Sequence, residues 1–319
     1  MKVLVSLNIP EVGIELLKQA GLEVEVWREV RPMTAEELVE TCQDVQALIT
    51  TGSNKINGDF LQKCSHLKVI SQFGAGYDNI DVAAASQLGI VVGNAPDAMS
   101  DATADIAFTL MLTASRKICY LHKSIISGNW GYFRPRAHLG LELKRKTLGV
   151  FGLGRIGFEM AKRCHGAYLM DIIYCSRTSK VEAEQQLGAR KVGFDELLTN
   201  SDVLTVHCAL NNDTRGLFNR DTFEKMKSSA LFINTSRGGV HNQHDLYQAL
   251  VSGTIWGAGL DVTDPEPMSP EDPLLSLENV AITPHIGSAT VEARDEMSRL
   301  AATNIIQFYR GEQVDNRVN

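Results

Sequence analysis

Short apolar or β-branched runs recur along this chain, and amphipathic stretches separate them. Val3–Leu7, Ala47–Thr51, Val69–Gln72 and Ile90–Val92 read as strands, and Gly13–Ala20 reads as a helix. This alternation predicts a mostly parallel sheet covered by helices. The rhythm changes near Ala102. Ala104–Ser115 is a long apolar helix pattern, Lys117–Ser127 a second one, and a loop rich in aromatics and arginine follows at Trp130–His138. A new strand series then begins: Thr147–Phe151, Ile172–Cys175, Val203–Val206, Ala230–Ile233, Ile255–Leu260 and Val280–Ile282. Six strands with helices between them, the first opening a glycine-rich turn, match a dinucleotide-binding domain. Thr290–Arg310 forms one final helix pattern.

Length and composition narrow the class. A chain of 319 residues exceeds one ordinary core and suits about two domains. With 44% hydrophobic and 22% charged residues it reads as globular, neither disordered nor fibrous. The net charge of −7 argues against nucleic acid or a membrane surface as partner, yet a local pair of arginines can still bind a small anion. Cys42, Cys64, Cys119, Cys164, Cys175 and Cys208 are scattered, with no C-x-x-C pair and no metal-ligand spacing, so free thiols in a reducing cytosol are expected. The opening MKVLVSLNIP is only briefly apolar and reads as a first strand. No run approaches the ~20 apolar residues of a membrane span, so a cytoplasmic location is expected.

The strongest local motif is Gly152-Leu153-Gly154-Arg155-Ile156-Gly157, which follows a strand and opens a helix. Gly152 permits a tight turn, Gly154 lets a pyrophosphate approach the backbone, and Gly157 lets helix and strand pack closely. The helix N-terminus offers unpaired N–H groups to the phosphates. NAD sites place an acid about 20 residues further on. Here Ser176 stands nineteen residues after Gly157, followed by Arg177 and Thr178. An acid would repel a 2′-phosphate, whereas these side chains can hydrogen-bond it. NADP(H) is therefore expected in preference to NAD(H), which the same loop can also hold.

Three later segments leave strands into loops: Asn234-Thr235-Ser236-Arg237-Gly238-Gly239, Asp261-Val262-Thr263-Asp264-Pro265-Glu266-Pro267 and Thr283-Pro284-His285-Ile286-Gly287-Ser288. Ligands of open α/β sheets bind beyond the carboxyl ends of strands. Reducing a 2-oxo acid takes a hydride to the carbonyl carbon and a proton to its oxygen. His285 can supply the proton, Glu266 can orient and favour the imidazolium, and Arg237 can grip the carboxylate and polarise the carbonyl. That chemistry needs no metal.

The stretches FGAGYDNID, GVFGLGRIG, INTSRGG, GLDVTDPEP and TPHIGSAT occur in this order, and over essentially its whole length the chain resembles the D-isomer-specific 2-hydroxyacid dehydrogenase family, its glyoxylate/hydroxypyruvate reductase branch most. The resemblance implies an α/β fold of two Rossmann-like or flavodoxin-like parallel-sheet domains with an active-site cleft between them. Residues 1–98 and 288–319 would form the substrate-binding domain, and 99–287 the cofactor domain. It implies Arg237, Glu266 and His285 as the catalytic set, with Ala75 and Gly76 offering backbone N–H groups to the substrate carboxylate. Asp261 would hold the nicotinamide carboxamide. Thr103, Cys208, Thr235, Ser236, His285, Gly287 and Ser288 would also line the cofactor. A small 2-oxo or 2-hydroxy acid is the implied partner, and a homodimer the implied assembly.

One loop departs from the pattern. Reductases of this branch often carry a bulky aromatic where this chain has Phe133–His138. The nearest residue in register is Ala137, and Arg134, Arg136 and His138 make the loop basic. A substrate longer or more anionic than glyoxylate is the alternative this raises. Reduction of a sugar-derived 2-oxo acid such as 2-ketogluconate, 3-phosphoglycerate dehydrogenase and a nucleotide-sensing corepressor are further alternatives. His241 and His244, three apart at a helix start, are expected to be exposed helix residues and not metal ligands.

Overall fold

The computed structural model describes residues 1–319 and divides them into two compact units, 1–99 with 289–319, and 100–288. The first unit begins β1 (Lys2–Val5), α1 (Glu11–Gln19), β2 (Glu23–Val26), α2 (Ala35–Thr41), β3 (Ala47–Thr50), α3 (Gly58–Lys63), β4 (Val69–Gln72), α4 (Val82–Gln87) and β5 (Val91–Gly93). All its strand pairs are parallel, in the order β2-β1-β3-β4-β5. That is the flavodoxin-like order. β3 and β4 are buried along their whole length, which is why neither alternates between apolar and charged residues.

The second unit holds α5 (Ser100–Ser115), α6 (Ile118–Ile126), β6 (Thr147–Phe151), α7 (Arg155–Tyr168), β7 (Asp171–Cys175), α8 (Val181–Leu187), β8 (Arg190–Lys191), α9 (Phe194–Asn200), β9 (Val203–Val206), α10 (Arg220–Phe223), β10 (Leu231–Asn234), α11 (Gln243–Val251), β11 (Gly257–Leu260) and β12 (Val280–Ile282). Its seven strands are parallel in the order β12-β11-β10-β9-β6-β7-β8. Counted from β6, this is the Rossmann order with one strand added, and it reverses between β6 and β9. α5 packs on α7, β10, β11 and β12, and the separate buried clusters are consistent with helices covering both faces of the sheet. The chain then returns to the first unit as α12 (Val291–Tyr309), capped by Thr290 and packed on α1 and β4. No helix is long and apolar enough to cross a membrane.

Two strands carry no sequence signal of the kind used above. β2 (EVEV) and the two-residue β8 are edge strands, and their glutamates, arginine and lysine face solvent. Charged edges block pairing with other chains, and the same charges hide the strand from a search for apolar runs. The expected strand at Ile255–Leu260 starts two residues later.

Candidate active site

The glycine turn follows from backbone geometry. Gly152 has φ +87°, in the left-handed region, and a Cβ there would lie 2.9 Å from the carbonyl of His207. A Cβ on Gly157 would lie 2.9 Å from Gly152 O, whereas one on Gly154 would meet nothing within 4 Å. So two glycines are needed for close packing, and the third leaves open space at the start of α7. Gly154 is the N-cap of that helix and supplies no side-chain cap, so its first-turn N–H groups can meet an anion. Leu153 N donates to Ser176 Oγ at 2.7 Å, tying the turn to the end of β7. Arg155, Arg177 and Thr178 are exposed and Ile156 is half-buried.

The ends of β9, β10 and β12 surround the same region. Thr103 on α5 donates to Gly287 O at 3.1 Å. Burial pushes the Cys208 thiol up to about 11, so it stays neutral near pH 7. His207 was not anticipated. Its ring bonds the Thr205 hydroxyl at 2.8 Å and approaches Thr235 Oγ1 at 3.4 Å, so it braces two strand ends next to the glycine turn.

Arg237, Glu266 and His285 follow β10, β11 and β12 respectively. His285 Nδ1 lies 2.5 Å from Glu266 Oε1, and both side chains are a little under half exposed. The carboxylate accepts, so Nδ1 carries the proton and Nε2 is left for a ligand. Burial works to raise the Glu266 carboxyl, but the His285 hydrogen bond and charge, Thr263 and the Arg237 charge together outweigh it and hold the group below its ordinary range. The two loops meet closely: a Cβ on Gly238 would sit 1.9 Å from Thr263 O.

Asp261 organises the histidine loop. It is buried, its Oδ1 accepts from Thr283 Oγ1 at 2.6 Å and Ile286 N at 2.8 Å, and its Oδ2 accepts from Gly287 N at 2.7 Å. These bonds bracket His285, whose own N–H reaches Asp261 O and Thr283 O at 3.0 Å each. His285 itself has φ +54°. A non-glycine residue in that region persists only where its surroundings over-determine it, and Asp261 supplies those surroundings. Ser288, next along, is half-buried.

Within the first unit, Ala75 and Gly76 lie on the loop after β4. Ala95 N donates to Gly74 O at 2.9 Å and Asn94 Nδ2 to Ala75 O at 2.8 Å, so the loop is held by the segment after β5. Asn304 of α12 in turn donates to Asn94 O at 2.8 Å.

His241 departs from expectation. It is buried, at 3% exposure, and lies before α11, whose N-cap is Asn242. The backbone there is extended and forms a parallel bridge with Phe218, which turns the ring inward against Phe232. His244, the second residue of α11, is exposed. The basic loop is exposed throughout Arg134–Arg136, and Arg134 approaches the His138 ring at 3.5 Å.

Residues 108–287 match the sequence profile of the D-isomer specific 2-hydroxyacid dehydrogenase, NAD binding domain. The chain is 42% identical to a glyoxylate reductase of Thermococcus litoralis, covering all of this chain and 96% of that one. It is also 42% identical to a D-3-phosphoglycerate dehydrogenase of Archaeoglobus fulgidus, covering all of this chain and 59% of that one. Among solved structures it is similar to an NADPH-dependent glyoxylate/hydroxypyruvate reductase of Sinorhizobium meliloti in complex with NADP and malonate. The TM-score is 0.86 at 31% identity, over 99% of this chain and 96% of that one.

Proposed function

The chain belongs to the D-isomer specific 2-hydroxyacid dehydrogenase family, and on that premise we propose that it reduces glyoxylate or hydroxypyruvate to the 2-hydroxy acid with NADPH in preference to NADH. Several of its relatives are named glyoxylate reductases, which supports reduction of a 2-oxo acid by an NAD(P)-dependent dehydrogenase. The observation that carries our residue assignment is the 2.5 Å contact between Glu266 and His285 at the strand ends of the dinucleotide-binding unit.

Arg237 binds the substrate carboxylate and polarises the 2-oxo group. When bound, the nicotinamide supplies the hydride to carbon 2. His285 Nε2 gives its proton to the carbonyl oxygen, and Glu266 balances the imidazolium before transfer and holds the ring's orientation after it. In the reverse direction Nε2 takes the hydroxyl proton back. Gly152, Gly154, Arg155, Ile156 and Gly157 take the pyrophosphate. Asp261 would hold the nicotinamide carboxamide, and Thr103, Cys208, Thr235, Ser236, Gly287 and Ser288 would line the cofactor.

Ser176, Arg177 and Thr178 support the choice of NADPH. Ser176 Oγ accepts from Leu153 N, so its own O–H remains to be donated to a phosphate. Arg177 and Thr178 are exposed beside it. The similar Sinorhizobium meliloti reductase is NADPH-dependent. A homodimer is supported by α6, which is amphipathic yet buries none of its residues. Ile118, Ile125, Ile126, Trp130, Tyr132 and Phe133 are exposed on it and on the loop beyond. An apolar surface of this kind marks an interface. The test of the reading is a panel of glyoxylate, hydroxypyruvate, 3-phosphohydroxypyruvate and 2-ketogluconate with each cofactor. Highest kcat/KM for either of the first two with NADPH supports it, and a preference for either of the larger acids overturns the substrate assignment.

A further inference from the structure

Arg237 leaves β10 on a segment with a fully buried anchor at its start. Asn234, the last residue of β10, is fully buried, and its amide uses every bond it can make. Oδ1 accepts from Ser236 N at 2.9 Å and Ser236 Oγ at 2.8 Å. Nδ2 donates to Arg237 O at 2.9 Å and to His241 Nδ1 at 3.0 Å. The orientation is forced, because Ser236 N–H can only donate and Arg237 C=O can only accept. A flipped amide would break both bonds.

His241 is fixed by the same logic. Its Nδ1 faces a donor and must accept, so the ring is neutral and carries its proton on Nε2. That Nε2 is buried and has no hydrogen-bond partner. Burial also pushes the ring's titration down to about 4. A buried N–H without a partner costs stability. An apolar side chain would avoid the cost, but it would leave one Asn234 N–H without an acceptor. Neither residue is open to solvent, so neither is placed to touch substrate.

We propose that Asn234 and His241 are positioning residues for the reaction: they hold the Ser236–Gly238 backbone, and through it the Arg237 guanidinium, in the pose that receives the substrate carboxylate. The Arg237 backbone is extended, its Nη1 folds back on Ser236 O at 2.8 Å, and Gly238 is pressed against Thr263. A small shift at the Asn234 anchor therefore moves the guanidinium relative to the Glu266 loop. The proposal rests on the reading of Arg237 as the substrate anchor.

The test is a pair of double-mutant cycles on the full chain, with kcat and KM for glyoxylate, the NADPH Kd by fluorescence and the melting temperature of each variant. His241→Val removes one acceptor and keeps the site apolar, so it is the variant expected to fold. Asn234→Ala removes all four bonds. His241→Val should raise KM for glyoxylate by about two- to tenfold, the effect of one hydrogen bond, and leave the NADPH Kd unchanged. In an Arg237→Ala background the same substitution should change kcat/KM by less than about twofold, because there is no guanidinium left to misplace. Equal losses in both backgrounds would overturn the positioning role and leave the Arg237 assignment intact. Unchanged kcat/KM in Arg237→Ala alone would overturn that assignment, and the proposal with it.

Discussion

Glu266 Oε1 lies 2.5 Å from His285 Nδ1 although nineteen positions separate the two residues. The contact is made by two loops that each leave a parallel strand at the same end of the sheet. Asp261 anchors the histidine loop, and Gly238 packs against the glutamate loop.

Two substitutions test that pair. His285→Ala should lower kcat in both directions by about 10² to 10⁴, the usual contribution of a general acid or base, with NADPH binding retained. Glu266→Gln should cost less. The carboxyl is held below its ordinary range, so in the wild-type enzyme it is a full negative charge at neutral pH. Gln keeps an acceptor for Nδ1 but removes that charge. Reduction needs the imidazolium as proton donor, so its alkaline limb should move to lower pH in Glu266→Gln. Steady-state rates from pH 5 to 9 give the answer, and superimposable profiles would remove Glu266 from the mechanism.

Arg237→Lys should be a poor enzyme. A lysine keeps the charge but not the planar fork that grips a carboxylate at two points. Both KM for the 2-oxo acid and kcat should worsen, since the contact is made before and during hydride transfer. A change confined to NADPH affinity would reassign Arg237 to the cofactor.

What could be seen in the sequence was whatever carried a local signature. Gly152, Gly154 and Gly157 announced their turn because two of them answer a steric demand and the third leaves open space at the start of α7, and the strands β3, β4, β6 and β9 announced themselves because both faces are buried. β2 and β8 did not, since charged edge strands look like loops. His241 did not either. Its spacing from His244 suggests a helix, but the strand-like bridge to Phe218 ends the segment before the helix starts. Asn234 sits in a recognisable motif, yet its four bonds depend on a fold that returns His241 beside it. No spacing rule contains that information.

The burial of His241 also predicts acid sensitivity. Its titration is pushed down to about 4 in the folded chain, against about 6.5 when unfolded. Between those values the unfolded chain binds a proton that the folded chain refuses. The stability due to the neutral ring is therefore complete above about pH 6.5, falls as pH drops below it, and stops falling near pH 4. His241→Val has no proton to refuse. Its melting temperature should fall less than that of the wild type between pH 7 and pH 4.5, by roughly 2–4 °C for each kcal/mol recovered. Parallel curves for the two proteins would show that His241 titrates normally.

On the proposed reading Ser176 and Arg177 set cofactor choice, and their different surroundings separate two effects. Arg177 is exposed beyond β7 and would meet only the 2′-phosphate. A hydrogen bond to a charged group contributes about 1.5–3 kcal/mol, which is roughly ten- to a hundredfold in affinity. Arg177→Ala should therefore lower kcat/KM for NADPH by about that factor and leave the value for NADH nearly unchanged. Ser176 is different, because its Oγ also accepts from Leu153 N at 2.7 Å and so supports the glycine turn itself. Ser176→Ala should weaken both cofactors, by loosening the loop they share. Ser176→Asp keeps an acceptor for Leu153 N, adds one for the ribose hydroxyls and repels a 2′-phosphate. Combined with Arg177→Ala it should reverse the order and make NADH the better substrate. The measurement is kcat/KM for both cofactors at one saturating concentration of glyoxylate. If the wild-type enzyme already turns over NADH as well as NADPH, Arg177 has no phosphate to hold and the preference lies elsewhere.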